Sequence, residues 1–466
     1  MASSISSAAL KADLVIFANQ IIPVVPHNVV LENHAVVVRD MRIVDVLPRD
    51  EAAAKYDATQ VQDLKDHILI PGLVNSHTHS AMTLLRGLSD DKALCDWLAQ
   101  DIWPTEGKFV GPEFVRDGMT HAAAEMIRGG TTCSNDMYFY PQQAIEVLER
   151  VGMRGAVGQT VMEFPTAYAS GPAEYFEKAL PFLKQYKNHD LVTATMAPHA
   201  PYTVGEASLL KVEELSKEHN VHINIHLHET QAECHDSEHQ IKASMSCHQS
   251  DQKLRPIANF KRLGLLSERL ICVHMTALTD EEIKDIAEAK SHVVHCPSSN
   301  LKLASGICRV TDLLKNGVNV AIGTDGAASN NSLNMFAEMK LAAILAKAES
   351  KEPTSVPAAT ALQMATLNGA RAIGLGNEIG SIEVGKRADL VAVECDNIEM
   401  LPMYNAISHV VYVAGRENVS DVWINGKHVL ADRKMTTIDE AQVKADVRKW
   451  YSNIREFHAS LQQNKN

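Results

Sequence analysis

Several familiar signals are missing from this 466-residue chain. No run approaches the roughly 18 consecutive apolar residues that a membrane span requires, which argues against a transmembrane protein. The eight cysteines (Cys95, Cys133, Cys234, Cys247, Cys272, Cys296, Cys308 and Cys395) form no Cys-x-x-Cys pair, and Cys272 lies inside the apolar run Leu270-Ile271-Cys272-Val273. Such scattered thiols read as buried and reduced, in a reducing compartment, and argue against a disulfide framework. Positive charge is in deficit. The net charge of −13 argues against a nucleic-acid or anionic-membrane partner. No glycine-rich dinucleotide loop follows a first strand, which weakens the case for a doubly wound open sheet. The first ten residues are Ser/Ala-rich and lack acids, but they also lack Arg. They are therefore read as a floppy N-terminus on a cytoplasmic protein and not as a transit peptide.

What is present is ordinary for a globular protein, with 45% hydrophobic and 22% charged residues, and a length that allows a large core. Residues 13–67 read as β. Asp13–Ala18 and Ile21–Pro26 are extended runs, and Ala35–Val46 forms a hairpin around Arg39-Asp40. From Ile68 the texture changes, as apolar β-like runs alternate with helical patterns. The runs are Ile68–Val74, Thr131–Asp136, one around Val157, Leu191–His199, Val221–His228, Leu270–His274, His292–Cys296 and Val318–Asp325. Helical segments include Glu113–Arg128, Glu206–Glu218, Thr279–Ala289 and Val310–Asn316. About eight strand-then-helix units predict a (β/α)8 barrel. After Gly374 the chain reads as β again: Arg387–Val393, His409–Val413, and a hairpin from Val419 to Leu430 turning at Asn425-Gly426. The expected architecture is thus an α/β chain in four parts. Residues 1–67 and 376–435 make a small β-sandwich from both termini, 68–375 the barrel, and 436–466 a polar helix and tail. The polar segment Ala232–Leu254 holds His235, His239, Cys247 and His248, but their spacing matches no zinc pattern, and a solvated loop over the barrel mouth is expected.

Polar residues close the apolar runs. His77 and His79, Asp136, His199, His226 and His228, His274 and Asp325 all fall at C-terminal strand ends, where barrel enzymes build their sites. Residues i and i+2 of a strand share a side, so His77/His79 and His226/His228 can each converge on one point. Imidazoles and a carboxylate suit a hydrolytic metal ion. Singly, each residue reads more readily as a core histidine or a helix-capping Asp, and 21 histidines make chance His-x-His pairs common. Glycines flank Thr324-Asp325 and allow close backbone approach.

The patterns Pro71-Gly72-x-x-Asn75-x-His77-x-His79, His226-x-x-Glu229-Thr230 and Gly323-Thr324-Asp325-Gly326, in this order and spacing, resemble the amidohydrolase superfamily. Further segments are similar to its triazine-hydrolase and nucleoside-deaminase branch: Met82–Gly87, Trp97 with Trp103–Glu106, Asn135–Phe139, Ala197–Tyr202, Ser299–Leu303 and Gly323–Asn331. Within that branch the chain resembles deaminases of 5-methylthioadenosine and S-adenosylhomocysteine. The resemblance implies that His77, His79, His226 and Asp325 bind one Zn2+, a set that would also accept Fe2+, Mn2+ or Co2+. His228 becomes a neighbour and not a ligand. No lysine ends a mid-barrel strand to bridge a second metal. Asp325 and His274 are expected to position the attacking water, and Glu229 to carry its proton to the purine ring and the leaving amine. Glu106 is expected to accept from the two ribose hydroxyls, His199 to contact the nucleoside, and Trp97 to line the pocket. The chain departs from the pattern at Gln159, where a related deaminase has a substrate-contacting arginine, and in its long segment after Glu229.

The implied reaction is zinc-dependent hydrolytic deamination of a 5′-thio-substituted adenosine, possible substrates including adenosine itself, by a homo-oligomer (a dimer or larger). Two alternatives stay open. One is an aminohydrolase or chlorohydrolase of another N-heterocycle, such as guanine or an s-triazine. The other is a non-catalytic binding protein that kept the barrel.

Overall fold

Short, continuous apolar strands that are buried on both faces need helices to cover them, and parallel strands need long crossovers. Both demands are met in the computed structural model, which describes residues 9–239 and 253–463. Four strands come first: β1 (Leu10–Ile21), β2 (Leu31–Arg39), β3 (Arg42–Pro48) and β4 (Tyr56–Pro71). Eight follow in the middle: β5 (Leu73–Thr78), β6 (Thr131–Tyr138), β7 (Arg154–Val161), β8 (Val192–Pro198), β9 (Ile223–Leu227), β10 (Leu270–His274), β11 (His292–His295) and β12 (Asn319–Ile322). These eight pair in sequence order, each parallel to the next. Helices such as Pro112–Arg128, Pro141–Val151 and Glu206–His219 cross between them. Pro141–Val151 shows why they pack, since Ala144, Ile145, Val147, Leu148 and Val151 lie buried on one side.

The barrel closes between its first and last strands through side chains and backbone around the glycine at 323. Asn75 accepts from the Thr324 N–H at 3.0 Å and donates to Thr324 Oγ1 at 2.8 Å. The Asp325 N–H donates to the His77 carbonyl at 3.0 Å. A Cβ at Gly323 would stand 2.8 Å from the His77 nitrogen, so the close approach expected there is present.

The remaining strands are β13 (Leu390–Glu394), β14 (Val419–Ile424), β15 (Lys427–Ala431) and β16 (Lys434–Met435). They join the first four in one eight-stranded sheet of order β16-β15-β14-β13-β4-β1-β2-β3. Residues from both chain halves, including Ile16, Val36, Leu69, Leu390 and Trp423, share one core. Arg154 of β7 ties the barrel to this sheet, its guanidinium bonded to the Asp389 carboxylate at 2.9 and 3.2 Å. The described cysteines are all free, and all but Cys95 and Cys395 are buried. No helix among the described residues is long and apolar enough to cross a membrane.

Several elements differ from expectation. His409–Val413 is not a strand; Ala406–Tyr412 is a helix, capped by the Asn405 side chain accepting from the Ser408 N–H at 2.9 Å. Its buried residues Ala406, Ile407, Val410 and Val411 have helical spacing, which outweighs the β-branched run. Ile21–Pro26 is no separate strand, since β1 runs unbroken to Ile21 and the chain then turns irregular, with Val24 at φ 70°. Arg49–Lys55, inside the segment read as β, is a short helix carrying three successive alanines. The first hairpin turns at Asp40-Met41, both with positive φ, one residue later than expected. Gln231–His239 is a helix where a loop was expected. The N-terminal Ser/Ala segment to residue 8, and Cys247 and His248 of the polar segment, lie outside the described residues.

Candidate metal centre and active site

His77 lies in β5 and His79 just beyond it, His226 lies in β9, and Asp325 follows β12. One donor atom from each of these four lies within 4.8 Å of all the others. His77 Nε2 is 3.2 Å from His226 Nε2 and 3.4 Å from Asp325 Oδ1, which is 3.2 Å from His79 Nε2. A tetrahedral ion with bonds of 2.0–2.1 Å to nitrogen separates its ligand atoms by about 3.3 Å. The three imidazoles and one carboxylate therefore fit a divalent metal ion in both chemistry and spacing.

The electrostatics agree. Burial lowers His77 to about 4, even beside Asp325, and holds His226 well below the ordinary imidazole value. Both are therefore neutral, the form that binds metal. Burial alone would raise Asp325, but hydrogen bonds from His77 and His79 hold its carboxyl well below the usual range. His79 goes the other way. Burial lowers it, but the Asp325 carboxylate and the Met137 carbonyl outweigh burial and bring it up to about 9. The pocket thus favours positive charge beside Asp325.

Outer groups aim these donors. His79 Nδ1 meets the Met137 carbonyl at 2.5 Å, which leaves Nε2 facing the cluster. Asp325 sits at φ 62°. Its Oδ2 accepts from Ser299 Oγ at 2.6 Å and Ser329 Oγ at 2.9 Å, and its Oδ1 from the Gly326 N–H at 2.8 Å. Supports of this kind fix ring tautomer and carboxylate orientation.

Beside the cluster, one pocket is lined by His79, Trp97, His199, Tyr202, His226, Glu229, His274 and Asp325, with Leu94, Leu98, Leu303 and Ser329. His274 Nδ1 is bonded to Asn300 Oδ1 at 2.8 Å, and its Nε2 lies 3.9 Å from Glu229 Oε2. Burial raises the Glu229 carboxyl above its ordinary range, against the pull of His274. A carboxyl raised in this way takes up a proton more readily than an ordinary one, as a proton carrier must. The His199 ring centre is 4.9 Å from that of His226, and its Nδ1 meets Thr203 Oγ1 at 2.8 Å. Burial, with like charge on His79, lowers His199 to about 3, so it is neutral. Trp97 lies in the pocket wall with its indole N–H donated to the Ser89 carbonyl at 3.0 Å.

Glu106 lines a neighbouring cavity of about 110 Å³ with Trp103, Val110, Phe139, Met162 and Phe164. Its Oε1 accepts from the Tyr138 hydroxyl at 2.6 Å, and the Tyr138 ring centre is 6.5 Å from that of His79. Glu106 is therefore one side chain removed from the metal donors. Burial pushes its carboxyl up to about 7, against the Tyr138 hydrogen bond.

Other strand-end residues stay outside the cluster. Asp136 is buried and accepts from the Ser80 N–H at 2.6 Å. His228 does not share a side with His226, because β9 has ended and residue 228 takes φ 51°. Its ring bonds the Ala277 carbonyl and the Ile257 N–H at 2.9 and 3.0 Å. Gln159 is buried in β7, accepting from the Tyr168 hydroxyl at 3.2 Å. Reading the sequence by strand ends missed Asn75, Tyr138, Ser299, Asn300 and Ser329. Ser299 and Asn300 follow β11 by four and five residues, so the same rule, applied one turn further, would have found them.

Comparison with known proteins agrees with this geometry. The sequence pattern of the amidohydrolase family matches residues 68–429. A 5-methylthioadenosine/S-adenosylhomocysteine deaminase of Saccharophagus degradans is 40% identical over 449 residues, 96% of this chain and 98% of that protein. The crystal structure of an adenosine deaminase from Xanthomonas campestris with bound zinc is 47% identical, with a TM-score of 0.93 over 96% of this chain and 100% of that one. An atrazine chlorohydrolase from Arthrobacter aurescens shares the fold at 20% identity, with a TM-score of 0.85 over 94% of this chain and 100% of that one. By its motifs, its barrel and these relatives, the chain belongs to the amidohydrolase family.

Proposed function

We propose that this enzyme hydrolytically deaminates 5′-thio-substituted adenosines, with 5-methylthioadenosine, S-adenosylhomocysteine and adenosine as candidate substrates, and that its metal is zinc. The observation that carries the reading is the placement of buried Glu229, 3.9 Å from His274 and in the same pocket as three metal donors. Full-length likeness to nucleoside deaminases supports the substrate class.

His77, His79, His226 and Asp325 hold the ion. When bound, it supplies a Lewis acid that brings the pKa of water from about 15.7 towards neutrality. Asp325 and His274 orient the attacking water and draw off its proton. Glu229, whose raised pKa suits both taking and giving, passes a proton to the ring nitrogen and then to the departing amine. Water adds to the carbon bearing the amino group, the C–N bond breaks, and the inosine analogue and ammonia result. Glu106 accepts hydrogen bonds from the ribose diol, with His199 and Trp97 against the nucleoside.

The test is ammonia release by the zinc-loaded protein from the three adenosines, with guanine and an s-triazine alongside. Release from the adenosines alone supports the reading. Release only from guanine or the triazine overturns it. We also read the chain as a cytoplasmic homo-oligomer, a dimer or larger. Exposed Ile398, Leu401 and Tyr404 on one connection support self-association, which analytical ultracentrifugation tests.

A further inference from the structure

Glu229 leaves the end of β9, where no ladder partner remains for its peptide group. Two side chains from elsewhere hold that peptide on both sides. Glu233, in the first turn of the helix Gln231–His239, accepts from the His228 N–H through Oε1 at 3.0 Å and from the Glu229 N–H through Oε2 at 2.8 Å. On the other side the Thr276 hydroxyl, just beyond β10, donates to the Glu229 carbonyl at 2.7 Å. The Thr276 N–H also bonds the His228 carbonyl at 2.9 Å.

The helix start has part of a capping box, with Thr230 Oγ1 accepting from the Glu233 N–H at 3.0 Å. In an ordinary box the glutamate returns to the N–H of the capping residue itself. Here the carboxyl acts on that N–H too, but its two oxygens bond the amides one and two residues further back. The helix does not need those two bonds; they fix the backbone from which the Glu229 side chain projects towards His274. Both oxygens of a carboxyl can accept, which suits two convergent N–H groups, and burial pushes this carboxyl up to about 8 against the hydrogen bonds from the Glu229 and His228 amides.

We propose that Glu233 is a positioning residue for Glu229, holding its peptide from the amide side while Thr276 holds it from the carbonyl side. This rests on the reading of Glu229 as the proton carrier. Glu233→Gln tests it, since the amide keeps the shape but offers one accepting oxygen in place of two. The variant is made in the wild-type chain and in Glu229→Gln.

Four readouts are taken: metal content, thermal transition, hydrogen exchange of the segment 226–234, and kcat and KM for 5-methylthioadenosine. The variant is expected to keep its metal and its thermal transition while the amides of 228 and 229 exchange about tenfold faster or more. Its kcat falls roughly 10–100-fold with KM nearly unchanged, because a misplaced proton carrier is felt only in the transition state. In the Glu229→Gln background the same change costs at most about twofold, since residues acting as one unit are not additive. Thr276→Val, which removes the opposite bond, is expected to show the same kcat loss and the same lack of additivity, and it decides the matter if Glu233→Gln does not fold. Unchanged kcat and exchange, loss of metal, or an equal loss of rate in both backgrounds overturns the proposal. Near-normal turnover by Glu229→Gln alone overturns the reading beneath it as well, so the two failures are told apart.

Discussion

Gly323→Ala probes how the barrel seam sets the metal site. The added Cβ would lie 2.8 Å from the His77 nitrogen, 2.9 Å from its oxygen and 3.0 Å from its Cβ. Ordinary contact begins at 3.4 Å, so the overlap is about 0.4–0.6 Å, mainly against backbone that cannot rotate away. The last strand must move off the first by that distance. Metal–ligand distances tolerate only about 0.2 Å, and His77 and Asp325 stand on opposite sides of this seam, joined through the Asp325 N–H and His77 carbonyl. Overpacking of this kind typically costs about 1–3 kcal/mol. If it falls on metal binding, affinity drops roughly 10–100-fold at about 1.4 kcal/mol per decade. The assay is competition with a chromophoric chelator, followed by ammonia release at saturating zinc. Gly111→Ala, where an added Cβ meets nothing within 4 Å, is the control. Unchanged metal affinity and turnover in Gly323→Ala would refute the claim that this close approach sets the site.

Glu229→Gln is expected to keep its metal and lose about 10²–10⁴ in kcat, and steady-state kinetics with metal analysis check both. Glu106→Ala should raise KM for ribose-bearing substrates roughly 10–100-fold, the loss of the hydrogen bonds its carboxyl accepts; equal KM values in the two proteins would remove Glu106 from ribose recognition. Asp101 anchors the C-terminal helix, its buried carboxylate accepting from Lys92, Ser89, His458 and Gln462. Burial pushes this carboxyl up, but Lys92, Ser89 and His458 together hold it down to about 2, against the usual 3.8. The unfolded chain therefore takes up this proton first. The stabilisation of roughly 2 kcal/mol is complete above about pH 4 and is lost as pH falls through 2. Denaturant titrations should show Asp101→Asn less stable at neutral pH and flatter in that acid window.

The parts of the site legible in the sequence are those that strand periodicity exposes. His77, His79, His226 and His274 each close an apolar run, and a barrel turns such ends towards one mouth. The rule failed at His228 because it assumes the strand continues, and the backbone there turns to positive φ. It also failed at 409–413, where a β-branched run carries a helical burial pattern and a capping Asn405. The helix after Glu229 had a readable start in Thr230-x-x-Glu233, hidden by the polar residues that follow. Tyr138 and Ser329 stand in segments that resemble the family, but their roles, like that of Thr276, were not legible, because each acts through a hydroxyl on a partner that strand periodicity does not point to. Asn75 was visible within the motif, but its work across the seam appears only when the first and last strands meet.

The central claim is that one metal, held by His77, His79, His226 and Asp325, is required for deamination assisted by Glu229. Its most direct test strips the protein with chelator, restores zinc in steps, and measures bound metal and ammonia release from 5-methylthioadenosine together. Turnover is expected to rise in proportion to bound zinc and to level off at one ion per chain, with His77→Ala neither binding nor turning over. Full turnover by the stripped protein, or by His77→Ala without metal, would contradict it.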